Sequence, residues 1–267
     1  MSITLEKWIE FFEELFPTIM EESWDNSGYQ IMNPTKKVQQ VMIAMDLTDR
    51  VLEEAIHLKA DLIVTHHPFL FEGVKKIDLS TYKGKMFKKL IQNDISCMAL
   101  HTNYDATSKG MNTMIADRLG LLDCRPLIPG LTGTEYDGLG GVGQLENPLS
   151  IDAFLRQVKT SFNLENIAVN GIDNKHNPMI RCIAFCGGAG GDFVSVAKKA
   201  GADVYLTGDV THHQTQVAYE NNLIIVDTSH YGMEKVFLDH IDAIMKTKDP
   251  SLQIAIYAHN DFEMAMI

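Results

Sequence analysis

The chain is short of positive charge. Among 267 residues, 23 lysines and arginines face 35 aspartates and glutamates, for a formal net charge of -12. Such a surface lacks the basic face that phosphate backbones require, so nucleic-acid binding on the outer surface is not expected. The one local basic run, Lys83–Lys89, reads as the solvated face of a helix. Cysteine is scarce too: Cys97, Cys124, Cys182 and Cys186 form no CxxC pair, which argues against a redox motif or a zinc ribbon. They are expected to be buried, reduced thiols, with Cys182 and Cys186 on one face of a strand. No apolar run reaches the length of a membrane span. The first residues soon carry Glu10, Glu13 and Glu14, the opposite of a secretory leader, so a cytoplasmic location is expected. There is no Walker sequence and no HExxH. Gly187-Gly-Ala-Gly-Gly191 misses the dinucleotide fingerprint because Phe193 stands where a third glycine is needed, and Asp192 would repel phosphate. A tight structural turn is the preferred reading of this loop, with a phosphate cradle as the other.

What is present is an ordinary globular composition, 45% hydrophobic and 22% charged. Apolar residues recur at helical spacing over 4–15 and stop at Pro17. Val38–Met45 reads as a buried strand, about Asp49–Leu58 as a helix, and Asp61–Thr65 as a strand ending at His66-His67. A helix near 80–93 and a strand at 95–100 lead to His101. This alternation predicts an α/β fold with largely parallel sheets flanked by helices, whose ligands gather at the carboxyl ends of strands. The second half repeats the first. Val41-Met-Ile-Ala-Met45 resembles Arg181-Cys-Ile-Ala-Phe185, and Ala60-Asp-Leu-Ile-Val-Thr65 resembles Ala202-Asp-Val-Tyr-Leu-Thr207. Ile43 to Asp61 spans 18 positions and Ile183 to Asp203 spans 20, so one short insertion aligns them. Internal duplication follows, with a first lobe at 1–124 and a second at 125–267, no inserted domain, and the last strand free to return to the first lobe. Residues 125–150, rich in glycine and proline (Gly133 among them), read as loop and hairpin. Two lobes facing each other would let ligands from distant parts of the chain meet.

His66, His67, Asp105, His230 and Glu234 are residue types that suit divalent zinc, iron, manganese or nickel. Five such groups exceed what one tetrahedral ion with an open position needs, which points to two ions. Adjacent His66 and His67 can diverge only because the chain turns at Pro68. The alternative is one histidine closing the turn and the other packing on Phe69 or Phe71. Asp105 could bridge two cations or cap a helix starting near 108. If 231–246 is helical, His230 and Glu234 share a face, as ligands or as a plain surface pair. His101 would orient a ligand or shuttle protons. His212-His213 and Trp24-Asp-Asn-Ser-Gly28 could line the cleft or merely open a helix and form a turn.

Five stretches carry a family resemblance: Trp24-Asp-Asn-Ser-Gly28, Asp61-Leu-Ile-Val-Thr-His-His-Pro68, His101-Thr-Asn-Tyr-Asp105, Leu206-Thr-Gly-Asp209 and Ser229-His-Tyr-Gly-Met-Glu234. Together the chain resembles the GTP cyclohydrolase I type 2 homologues, the dinuclear-metal family also called NGG-interacting-factor-three-like proteins. The resemblance implies two similar, interlinked α/β lobes, a ring-shaped homohexamer, and His66, His67, Asp105, His230 and Glu234 as metal ligands. It implies a metal-dependent hydrolase acting on a small molecule, with a nucleotide such as GTP the substrate suggested by the family name. A metal-bound hexameric scaffold that binds protein or nucleic acid is the alternative.

Overall fold

The computed structural model describes residues 2–130, 137–172 and 178–263, so Gly133 lies outside the described residues. In chain order the strands are β1 Gly28–Ile31, β2 Gln40–Ala44, β3 Leu62–Thr65, β4 Ser96–Ala99, β5 Leu121–Pro129, β6 Gly138–Ser150, β7 Ala168–Asn170, β8 Met179–Phe185, β9 Val204–Thr207, β10 Ile224–Asp227 and β11 Gln253–Tyr257. The α-helices are α1 Leu5–Leu15, α2 Asp49–His57, α3 Tyr82–Gln92, α4 Thr102–Ala106, α5 Met111–Leu119, α6 Ile151–Ser161, α7 Val194–Lys199, α8 His212–Glu220, α9 His230–Glu234 and α10 Val236–Lys248. The chain forms two compact units, Met1–Tyr104 with Phe237–Ile267, and Asp105–Val236.

The first unit holds a five-stranded sheet in the order β1-β4-β3-β2-β11. Strands β11, β2, β3 and β4 run parallel, and β1 closes the β4 edge antiparallel. All four residues of β3 are buried, as a strand covered on both faces requires. Met42, Ala44, Ile63 and Cys97 pack with Leu52 and Ala55 of α2 and Leu90 of α3. Thr48 starts α2, its hydroxyl accepting from Val51 N at 3.3 Å. Trp8 and Phe12 of α1 are wholly buried.

The second unit holds a six-stranded sheet, β5-β6-β8-β9-β10-β7. The run 125–150 is largely strand: β5 and β6 form a long antiparallel hairpin, and β6 pairs antiparallel with β8. Beyond β8, parallel β8, β9 and β10 with antiparallel β7 repeat the β2-β3-β4-β1 arrangement. Ala184, Tyr205, Ala197, Ala218 and Ile225 form its core.

The repeat extends to single hydrogen bonds. The Asp61 carboxylate accepts from the amides of Gln39 and Gln40, and the Asp203 carboxylate accepts from those of Arg181 and Cys182. Leu100 N donates to Thr65 O and Thr228 N to Thr207 O. The helices preceding these strands end alike, on left-handed Lys59 and Gly201, then on left-handed Asp94 and Asn222. These anchors correct the expected alignment. Val41 pairs with Leu62 and Ile183 with Val204, so Ile183 matches Val41, not Ile43, and no insertion separates the first two strands. Short apolar strands can slide by two residues without changing faces, which is why the sequences alone aligned out of step.

Candidate metal centre

In each unit the candidate ligands sit at the carboxyl ends of parallel strands. In the first unit, β3 ends in His66-His67 and β4 leads to His101. One ligand atom from each of these three histidines lies within 4.8 Å of the others. The sequence placed His101 outside the ligand set; the structure puts it beside the pair. Every ring is steered by an oxygen at Nδ1. His66 Nδ1 meets the Leu100 carbonyl at 2.8 Å, His67 Nδ1 the Asp46 carboxylate at 2.9 Å, and His101 Nδ1 the Asp25 carboxylate at 2.8 Å. A carbonyl or carboxylate accepts only, so Nδ1–H donates and the basic electron pair is on Nε2. This is the arrangement in which imidazoles ligate metals.

Asp25 is the most constrained of these acids. Its side chain is fully buried, and it also accepts from Thr102 N at 3.1 Å, from the Thr102 hydroxyl, and from the Ser27 hydroxyl at 2.8 Å. Burial alone would raise its carboxyl, but the hydrogen bond and charge of His101, with the Thr102 hydroxyl, hold it well below the usual carboxylate range.

In the second unit, β10 leads to α9, which ends at Glu234, and α10 begins at Val236, so the expected helix over 231–246 is two helices. His230 and Glu234 share a face of α9, with His230 Nε2 and Glu234 Oε2 3.3 Å apart. The His230 Nδ1–H donates to Asp209 Oδ2 at 2.8 Å. The facing Nε2 and carboxylate oxygen would then be two acceptors, and a proton or a cation has to reconcile them. Two ligands on one tetrahedral ion with bonds of about 2.1 Å sit roughly 3.4 Å apart, so the spacing fits a shared ion. Glu234 is buried. Asp105 opens this unit, its carbonyl accepting from Asn112 Nδ2 at 2.9 Å. Burial, then the charges of Asp105 and Glu234, push the Cys186 thiol up.

The backbone is shaped around these acids. Gly188 has φ +62°, and a Cβ there would stand 2.3 Å from Glu234 Oε1 and 3.3 Å from His230 Nε2. The glycine run expected to be a structural turn thus admits the Glu234 carboxylate. Gly190 N donates to Thr207 Oγ1 at 2.8 Å and Tyr205 OH donates to Gly190 O at 2.6 Å, which fixes the loop. At Gly208 a Cβ would meet His230 N at 2.6 Å, so β9 and α9 can approach only without one. Ser229 adopts φ 62°, ψ 161°, a region almost reserved for glycine. Such strain beside His230 is typical of functional sites. His212 and His213 occupy the first turn of α8, begun by a capping box of Thr211 and Gln214.

The sequence missed the acids that steer the rings. Asp46 and Asp209 each follow a strand end, and Asp25 sits in the Trp24–Gly28 turn; a search for acids near strand termini would have found them.

Comparison with known proteins places the chain in a family. Residues 3–261 match the family described as Duf34/NIF3 (NGG1p interacting factor 3). The chain belongs to that family. It is 31% identical over 234 residues to the GTP cyclohydrolase 1 type 2 homolog of Clostridium acetobutylicum, covering 88% of this chain and 86% of the relative. It is 33% identical over 234 residues to the Streptomyces coelicolor protein of the same name, covering 86% and 81%. A Bacillus cereus protein related to NIF3 superposes with TM-score 0.89 at 24% identity over the whole of both chains, which speaks for the fold. Reduced HcgD from Methanocaldococcus jannaschii gives 0.82 at 29% identity over 96% of this NIF3-family chain and 98% of its own. Among the described residues no helix is long and apolar enough to cross a membrane.

Proposed function

We propose that this NIF3-family chain is a metal-dependent hydrolase of a nucleotide or related small molecule. Its two divalent ions, of the zinc, iron, manganese or nickel kind, are held by His66, His67, Asp105, His230 and Glu234, and His101 joins that set. One observation carries the reading: four imidazoles each donate Nδ1–H to an oxygen, and one of them faces a buried carboxylate with its basic nitrogen. A structural histidine needs no such uniform steering; a ligand does.

Bound ions of this kind would lower the pKa of a water and polarise a substrate oxygen, so that the water could attack the carbon or phosphorus bearing that oxygen. The chain's own residues do the rest. Asp46, Asp25, Asp209 and the Leu100 carbonyl keep each Nδ1 protonated and fix the ring planes. The Thr65 hydroxyl donates to His67 O at 2.8 Å, holding the backbone where the two adjacent histidines diverge. Gly188 leaves room for the Glu234 carboxylate. The NIF3 resemblance supports a homohexameric ring, to be read by light scattering as six chains of 29.9 kDa. The free cysteines support a cytoplasmic setting.

The test is elemental analysis of purified protein together with turnover of a panel of nucleotides and phosphoesters under zinc, manganese, iron and nickel. His66→Ala is expected to lose metal and turnover while keeping its fold. Unchanged metal content in that variant removes the assignment. Full metal loading with no turnover under any of the four ions favours the scaffold alternative.

A further inference from the structure

Two large aromatic side chains stand in solvent beside a candidate ligand. Trp24 and Phe71 are 54% and 44% exposed. Their rings stack on each other with centroids 5.7 Å apart and planes 28° apart. Both present edges to His101, at 5.9 Å for Trp24 and 6.2 Å for Phe71. Neither is a loose surface residue. Trp24 immediately precedes Asp25, the acid that holds His101, so ring and steering acid share one turn. Phe71 follows a tied segment: Leu70 N donates to Gln30 Oε1 at 2.9 Å, Leu70 O accepts from Asn26 Nδ2, and Lys83 Nζ donates to Phe69 O at 2.9 Å. Phe69, two residues earlier, is buried against Phe87, with ring centroids 5.0 Å apart.

Such a pair gains little by contacting water. Its remaining ring faces suit offset stacking on another π system, and base–aromatic stacking tolerates any planar base. The pair also lies at the carboxyl end of β4, the end of a parallel sheet at which ligands bind. We propose that Trp24 and Phe71 form a shelf on which the planar heteroaromatic ring of the ligand stacks, beside His101. Calling that ligand a substrate rests on the hydrolase reading; the shelf itself does not.

Tryptophan fluorescence isolates the shelf, because the chain has two tryptophans and the other, Trp8, is wholly buried. Metal-loaded full-length protein is titrated with guanosine, adenosine and cytidine, and with tripolyphosphate as a ringless control. Saturable quenching of the exposed tryptophan by at least one nucleoside and none by tripolyphosphate is expected. By calorimetry, Trp24→Leu and Phe71→Leu are each expected to weaken that nucleoside about tenfold, with metal content unchanged and Trp8 emission reporting an intact fold. Three results overturn the shelf: no saturable binding of any of the three nucleosides, unaltered affinity in both variants, or protection of Trp24 from acrylamide in the ligand-free assembled protein, which would mean that a second copy covers it. Nucleoside binding through Trp24 without turnover of any substrate would leave the shelf and remove the hydrolase. Turnover indifferent to both substitutions would do the reverse.

Discussion

Gly188→Ala separates two physical effects that are usually confounded. An alanine in the left-handed region costs about 1–2 kcal/mol relative to glycine. At Gly188, φ +62°, the added methyl would also sit 2.3 Å from Glu234 Oε1, so the buried carboxylate must move. Gly120 provides the matched control, since it has φ +66° and nothing within 4 Å of its Cβ position. Gly120→Ala therefore carries the backbone cost alone. At roughly 2–4 °C per kcal/mol for a protein of this size, it should lower the melting temperature by about 2–8 °C. Its metal content should equal that of the parent. Gly188→Ala should show a larger loss in the metal-free protein, because the buried carboxylate must also move, plus a selective loss of metal affinity because that carboxylate is driven from its position. Repositioning a ligand should cost at least the 10–100-fold typical of losing a supporting contact. The assay pairs metal-binding isotherms with melting curves taken with and without chelator. If both variants bind metal with the affinity of the parent, the Glu234 carboxylate is not part of a metal site.

The steering acids make a second test: Asp46→Asn and Asp209→Asn should each lower metal affinity about 10–100-fold in competition with a chromophoric chelator, with little change in the melting temperature of the metal-free protein. Asp261 gives an acid-stability test. Burial alone would raise its carboxyl, but hydrogen bonds from Thr48 at 2.6 Å and Tyr257 at 3.0 Å, with the Arg50 charge at 3.2 Å, hold it below the usual range. A lowered folded pKa stabilises above the unfolded value of about 3.9 and loses that contribution as pH falls through the folded value. The gap in melting temperature between the parent and Asp261→Asn should therefore be full at neutral pH and shrink below about pH 4; a gap constant from pH 7 to pH 3 would contradict it.

The parallel strands were legible because each is a short apolar run bounded by turn residues, and the ligand types because they cluster at strand ends. The β5–β6 hairpin was half hidden. Gly138, Gly140, Gly141 and Gly143 read as loop, yet Gly141 and Gly143 lie where a Cβ would strike Phe185 and Cys124, so their smallness serves strand packing. A single sequence shows that His101 follows a strand, not that its ring lies 5.2 Å from that of His66. The steering acids lay within reach of a search near strand termini, but nothing in the sequence assigned each to its ring, since Nδ1 contacts join positions such as 25 and 101 that no local spacing connects. The break between α9 and α10 carries no proline or glycine at Lys235, so periodicity ran through it.

The register of the repeat shows which residues of the two halves take equivalent places. Asp61 and Asp203 anchor equivalent amides, which sets His66 opposite Gly208, His67 opposite Asp209, and Asp46 opposite Gly188. In the first lobe Asp46 steers His67. In the second, the residue in the place of His67 is itself an acid, and it steers His230 from the following strand end. The residue in the place of Asp46 is a glycine, and the space its Cβ would take is filled by the carboxylate of Glu234. Both lobes thus keep an acid–imidazole pair, but with the partners exchanged between strand ends. A duplicated scaffold with two identical sites would have retained His-His in both copies. The exchange leaves His66, His67 and His101 together in the first lobe and His230 with Asp209 and Glu234 in the second. Gly188 and Asp209 thus serve Glu234 and His230, the one by leaving room for a carboxylate and the other by holding an Nδ1–H.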